Sequence, residues 1–133
     1  MDLMNLQPTT DTVTILLKHP VTDEILKKDD GTEMSITMYA THSKEYKAAM
    51  HEQTNKRLMK SQKAKKNVIF TAEDIDSSTI EVLAKSTKEW DLQFNKKPLK
   101  FTIDEAINLY QKFPWIKEQV SEAQEDFTSF LKA

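Results

Sequence analysis

The sequence predicts an α+β fold, mostly α, in which a small N-terminal antiparallel β-meander is followed by about four helices. Three observations carry this expectation. Residues 13–18 and 34–39 are β-branched or alternating and flank a turn built on Gly31, the single glycine of the chain. From residue 43 onward apolar residues recur at spacings of three and four, and helix-start chemistry stands at Thr102 and Pro114.

Residues 1–11 mix Gln, Pro, Thr and Asp with scattered apolar positions and read as a flexible N-terminal arm. Val13-Thr14-Ile15-Leu16-Leu17-Lys18 is a strand ended by His19-Pro20, since proline lacks the ladder donor and restrains the residue before it. Glu24-Ile25-Leu26-Lys27 suggests a short second strand. Asp29-Asp30-Gly31-Thr32 is the strongest turn signal, because glycine accepts the positive φ of a tight hairpin. Alternation over residues 34–39 places Met34, Ile36 and Met38 on one face of a third strand. So small a sheet needs its apolar face covered, and the helices are there to cover it.

Ser43 is placed to cap a helix with a thin apolar stripe of Tyr46, Ala49, Met50 and Leu58. The stripe fades after Met59, and residues 56–66 read as a solvated, mobile helix end or linker. Thr71 opens the next helix, with Ile75, Thr79, Val82, Leu83 and Trp90 continuing one face until Asn95-Lys96-Lys97-Pro98 interrupts it. Thr102 and Glu105 form a capping box with Phe101 as staple, and Ile103, Ala106, Ile107 and Tyr110 give that helix its buried stripe. Pro114 breaks it and suits the first turn of a last helix bearing Trp115, Ile116, Val120, Ala123, Phe127, Phe130 and Leu131. At 133 residues the expectation is one domain over residues 12–133, with 12–66 holding the meander and the basic helix and 67–133 the helical region.

Composition narrows the function classes. Nineteen basic against 21 acidic residues give a net charge of -2, without the basic excess of a protein that neutralises many phosphates. Nucleic acid is therefore not an expected partner. The absence of cysteine removes disulfides, thiolate metal sites and cysteine nucleophiles, and fits a reducing compartment such as the cytoplasm. One glycine is too few for Rossmann or Walker loops, so no nucleotide cofactor is expected. No basic leader with a long apolar core opens the chain and no run of about 18 apolar residues occurs, so neither export nor a membrane partner is expected.

The basic run Lys56, Arg57, Lys60, Lys63, Lys65 and Lys66 lacks the interleaved aromatics that stack bases, and reads as a solvated face or a contact for an acidic protein. His19, His42 and His51 have no close pairing of ligands, so no metal is expected. Acids such as Asp74, Asp76, Glu122, Glu125 and Asp126 read as solubilising charge, and no catalytic residue is assigned. Met34, Met38, Met50 and Met59 read as gap-filling core. What remains is the aromatic series Trp90, Phe101, Tyr110, Phe113, Trp115, Phe127 and Phe130, a pattern of packing and recognition rather than chemistry. Trp90, Tyr110, Trp115, Ile116, Phe127 and Phe130 are the candidate partner-binding residues of a non-enzymatic interaction protein.

The order of these signals resembles a known family. A strand ending in His19-Pro20, a hairpin at Asp30-Gly31, a strand over residues 34–39 and Ser43-Lys44-Glu45-Tyr46 opening a helix come first. Thr87-Lys88-Glu89-Trp90, Lys97-Pro98-Leu99-Lys100-Phe101-Thr102 and Phe113-Pro114-Trp115-Ile116-Lys117-Glu118-Gln119-Val120 follow, before Phe127 and Phe130. Together they resemble the tail assembly chaperones of long-tailed, siphovirus-type bacteriophages over nearly the whole chain, by order and spacing of short motifs. Relatives often carry a glycine near Asn95-Lys96-Lys97-Pro98, and this chain does not. The resemblance implies a late, non-enzymatic protein of the host cell cytoplasm, absent from the mature virion. It implies binding to the tape measure protein, recruitment of the tail tube protein and self-association. It also implies a longer form made by backward frameshifting, for which Phe130-Leu131-Lys132 can be encoded by a slippery heptamer. A small phage or bacterial adaptor is the alternative, and a nucleic-acid-binding accessory protein a more distant one.

Overall fold

A computed structural model describes residues 3, 10–64 and 72–126. The fold is α+β and mostly α. Strands β1 (Thr12–Leu16) and β2 (Ser35–Tyr39) are followed by helices α1 (Lys44–Ala64) and α2 (Ala72–Lys85). The chain then makes strand β3 (Thr87–Asp91), a hairpin of β4 (Gln93–Phe94) and β5 (Lys97–Pro98), and helices α3 (Ile103–Lys112) and α4 (Pro114–Glu125).

The main sheet is antiparallel in the order β1-β2-β3. Its third strand therefore comes from beyond two helices and not from the N-terminal meander. Residues 24–27, expected as a strand, make only two single bridges, Lys18 to Ile25 and Lys27 to Glu33. Leu26 alone of that segment turns inward, its amide donating to the Leu17 carbonyl at 2.8 Å while its carbonyl accepts from Met34 at 2.9 Å. Trp90, expected on a helix face, lies in β3 opposite Ile36. Its spacing from Leu83 mimics a helical stripe, but α2 stops at Lys85, where Ser86 and Thr87 turn their hydroxyls back onto the Leu83 carbonyl.

The core lies between one face of this sheet and helices α2, α3 and α4. Ile36 and Met38 of β2 are fully buried, as the alternation requires. They meet Ile80, Leu83 and Ala84 of α2, Ala106, Leu109 and Tyr110 of α3, and Ile116 and Val120 of α4. Ile75 and Thr79 are exposed, because the inward face of α2 runs through Ile80, Leu83 and Ala84 instead. Ile103 also faces solvent. Met50 and Met59, read as core, are exposed on α1, whose buried positions include Ala49 and Gln53.

Local signals are met where the side chain acts on its own turn. The Ser43 hydroxyl accepts from the Tyr46 amide at 3.1 Å and Thr102 accepts from Glu105 at 3.0 Å, each capping the helix it precedes. Pro114 stands at the first position of α4, and Gly31 has φ 88°. Residues 56–64, expected as a solvated, mobile helix end or linker, are the end of helix α1. Thr71, the expected cap of α2, and most of the N-terminal arm lie outside the described residues.

Candidate functional site

The feature that stands apart from the core begins at residues 93–98. Asn95 and Lys96 both have positive φ, 53° and 64°, so β4 and β5 are joined by the two-residue left-handed turn that matches strand twist. The base of this hairpin is fastened twice. The Leu99 amide donates to the Leu92 carbonyl at 2.9 Å, and the Trp90 indole donates to the Leu99 carbonyl at 2.8 Å. Phe101, expected as a helix staple, packs edge-on against Trp90 of β3 with ring centroids 5.0 Å apart.

Held this way, the hairpin stands over the junction of α3 and α4 and leaves an apolar groove. An inner cavity of about 190 Å³ is walled by Leu17, Leu26, Met34, Leu92, Phe94, Leu99, Leu109, Phe113, Trp115 and Ile116, with Gln93 its one polar side chain. An outer cleft of about 490 Å³ shares Phe94, Leu99, Leu109 and Phe113 with it and adds Glu105, Asn108, Gln111 and Lys112. Phe94 is 47% exposed. Phe113 and Trp115 meet edge to face at 6.0 Å. The Lys112 ammonium lies 4.5 Å above the Phe94 ring and 6.0 Å from that of Phe113, across the mouth of the groove. An open, apolar wall with two ionisable groups at its edge can receive bulky side chains.

The candidates from the sequence divide accordingly. Trp115 lines the groove, and Trp90 positions the hairpin that forms its outer wall. Tyr110 is 1% exposed and Ile116 5%, so both pack in the core, and Ile116 also walls the inner cavity. The Tyr110 hydroxyl is 2.7 Å from that of Thr87, and burial pushes its pKa up to about 12 against the opposing effect of that hydrogen bond. Phe127 and Phe130 lie outside the described residues. Phe94 and Leu99 are the residues sequence reasoning missed. Their signal is the Phe-Asn-Lys-Lys-Pro-Leu stretch, which has apolar residues on both sides of a turn.

Of the basic run, Lys56 and Arg57 have described surroundings. Lys56 is held at 2.6 Å by Glu81 of α2 and at 3.7 Å by Glu52. Lys85 meets the same two carboxylates at 2.6 and 3.0 Å, so Lys56 belongs to a four-residue network joining α1 to α2. Partial desolvation raises the Glu81 pKa, but hydrogen bonds from Lys56 and Lys85 overcome it and bring the carboxyl to about 2. Arg57 borders a small cleft of about 140 Å³ between α1, α2 and α4. Lys60 and Lys63 lie on α1, while Lys65 and Lys66 are outside the described residues. The His19 ring accepts from the amides of Val21 and Thr22 and closes its own turn. Among the described residues no three histidine or acidic side chains stand together to hold a metal, and no helix is long and apolar enough to cross a membrane.

No family model matches this sequence, and neither the curated proteins nor the solved structures contain a significant match to it.

Proposed function

We propose that this chain is a tail assembly chaperone of a long-tailed bacteriophage, a non-enzymatic protein that covers apolar stripes of the tape measure protein in the host cytoplasm. The observation that carries the reading is the groove walled by Phe94, Leu99, Phe113 and Trp115. Its inner cavity, at about 190 Å³, adjoins the open outer cleft and suits one anchoring side chain of a longer segment. A tape measure protein is a very long helix whose exposed stripe invites aggregation, and a helix offers such anchors every three or four residues. The order of motifs from His19-Pro20 to Phe113-Pro114-Trp115 supports the same reading. Many copies along one rod would gain avidity, which is where self-association and recruitment of the tail tube protein enter the proposal.

The test is co-expression with the tape measure protein of the same phage, followed by a pull-down and a solubility assay at low and high salt. The expected result is a soluble complex that survives high salt, weakened about tenfold by Phe94→Ala or Phe113→Ala, as for truncation of an interface anchor. Absence of binding, with no gain in solubility, overturns the reading.

A further inference from the structure

We propose that the groove selects apolar helical segments flanked by acidic residues, and that Lys97 and Lys112, with Lys96 beside them, read those acids. The inference rests on the groove being a docking site and specifies the chemistry of its occupant. Lys97 is the direct cross-strand partner of Phe94, so the two side chains leave the same face of the hairpin. Lys112 approaches from α3 and crosses the mouth above the Phe94 ring. Lys96 stands in the two-residue turn next to Lys97, with its backbone left-handed at φ 64°.

Among the described residues these three lysines make no ion pair, as is also true of Lys18, Lys27, Lys44, Lys47, Lys88 and Lys100, and their place around Phe94 sets them apart. Lys28, Lys56, Lys85 and Lys117 each meet a carboxylate at 2.6 or 2.7 Å. No carboxylate lies within ion-pair distance of Lys96, Lys97 or Lys112 in the described structure, although the protein as a whole is slightly acidic. Lys112 has an aromatic ring beneath it in place of an anion, a contact that an arriving carboxylate on a docked segment can replace or join. Glu105, the one acid among the described residues that line the cleft, is seven positions from Lys112 on α3, about 10 Å along the helix. The rim is thus cationic at the hairpin end, and an apolar stripe bordered by Glu or Asp complements it where one bordered by Lys is repelled.

The probes are two synthetic amphipathic helices of about 20 residues, long enough to span the domain. They share one leucine and phenylalanine stripe and differ only in having Glu or Gln beside it. Titration calorimetry measures each against the whole protein and against the triple variant Lys96→Gln, Lys97→Gln, Lys112→Gln, with thermal melting as the check that the variant is folded. The Glu peptide is expected to bind about fivefold more tightly than the Gln peptide at low ionic strength, the sum of a few exposed ion pairs. That advantage should disappear in the triple variant and at high salt. Equal affinities overturn the proposal and leave the groove standing. An advantage that persists in the triple variant overturns it as well, since other cations then read the acids. Failure of both peptides removes the docking reading itself.

Discussion

Lys96 occupies a backbone conformation that costs an ordinary L-residue about 1 kcal/mol, and the two-residue turn it completes normally places glycine there. Lys96→Gly is therefore expected to raise stability by roughly 0.5–1 kcal/mol, read as a shift in the urea midpoint at unchanged slope. Tyr110 makes the opposite kind of demand. Its phenol is buried with a pKa pushed up to about 12, against an ordinary value of 10.0. The folded protein holds that proton more tightly than the unfolded chain does. Stability is then complete below about pH 10 and falls as pH rises towards 12. Urea titrations across that range should show the fall in the wild type and a shallower one in Tyr110→Phe, while the difference in phenolate absorbance between the two proteins develops in the same window. These positions also show how far a sequence can be read. Thr102 with Glu105 was legible because a cap is local chemistry. Phe94 was not, because its exposure depends on how Trp90 and Leu99 hold a hairpin.

Helix α1 illustrates stability supplied by charge where apolar area is short. It is 21 residues long, it exposes Met50, Leu58 and Met59, and its tie to α2 includes the network of Glu52, Lys56, Glu81 and Lys85. Glu81 is the shared member, with a pKa of about 2. A lowered carboxyl adds stability above its ordinary pKa of 4.5 and loses that contribution as pH falls towards 2. Glu81→Gln is expected to cost about 1 kcal/mol at neutral pH, a modest figure because the pairs are partly exposed. Its melting temperature should also depend less on pH between 4.5 and 2 than that of the wild type. The strands were harder to foresee than the helices. Thr87-Lys88-Glu89-Trp90-Asp91 carries three charges in five residues and announces no strand, and it becomes one by pairing with β2.

The molecule as a whole is closed by that pairing. Ser35 to Asp91 and Ile36 to Trp90 are contacts across more than half a hundred positions, and they set a late part of the chain against an early one. The class of fold was legible, since period two near the N-terminus and periods of three and four after it survive any arrangement in space. The topology was not, because nothing local in β1 or β2 says which later segment completes the sheet. A fragment of residues 1–66 would have β1, β2 and α1 without β3, Tyr110 or Val120, and Ile36 and Met38 would face water. Such a fragment is expected to lack cooperative unfolding by circular dichroism and to gain structure when mixed with residues 67–133. A cooperatively folded fragment on its own would show that the N-terminal part is a separate unit.

The late arrival of β3 also sets a clock. A ribosome adding 5–20 residues each second needs roughly 2.5–10 s to travel the fifty or so positions from the end of β2 to the end of β3. During that interval the nascent hairpin presents Ile36 and Met38 with one flank unpaired. A protein proposed to shield another chain's apolar surface passes, during its own synthesis, through a stage in which its own is unshielded.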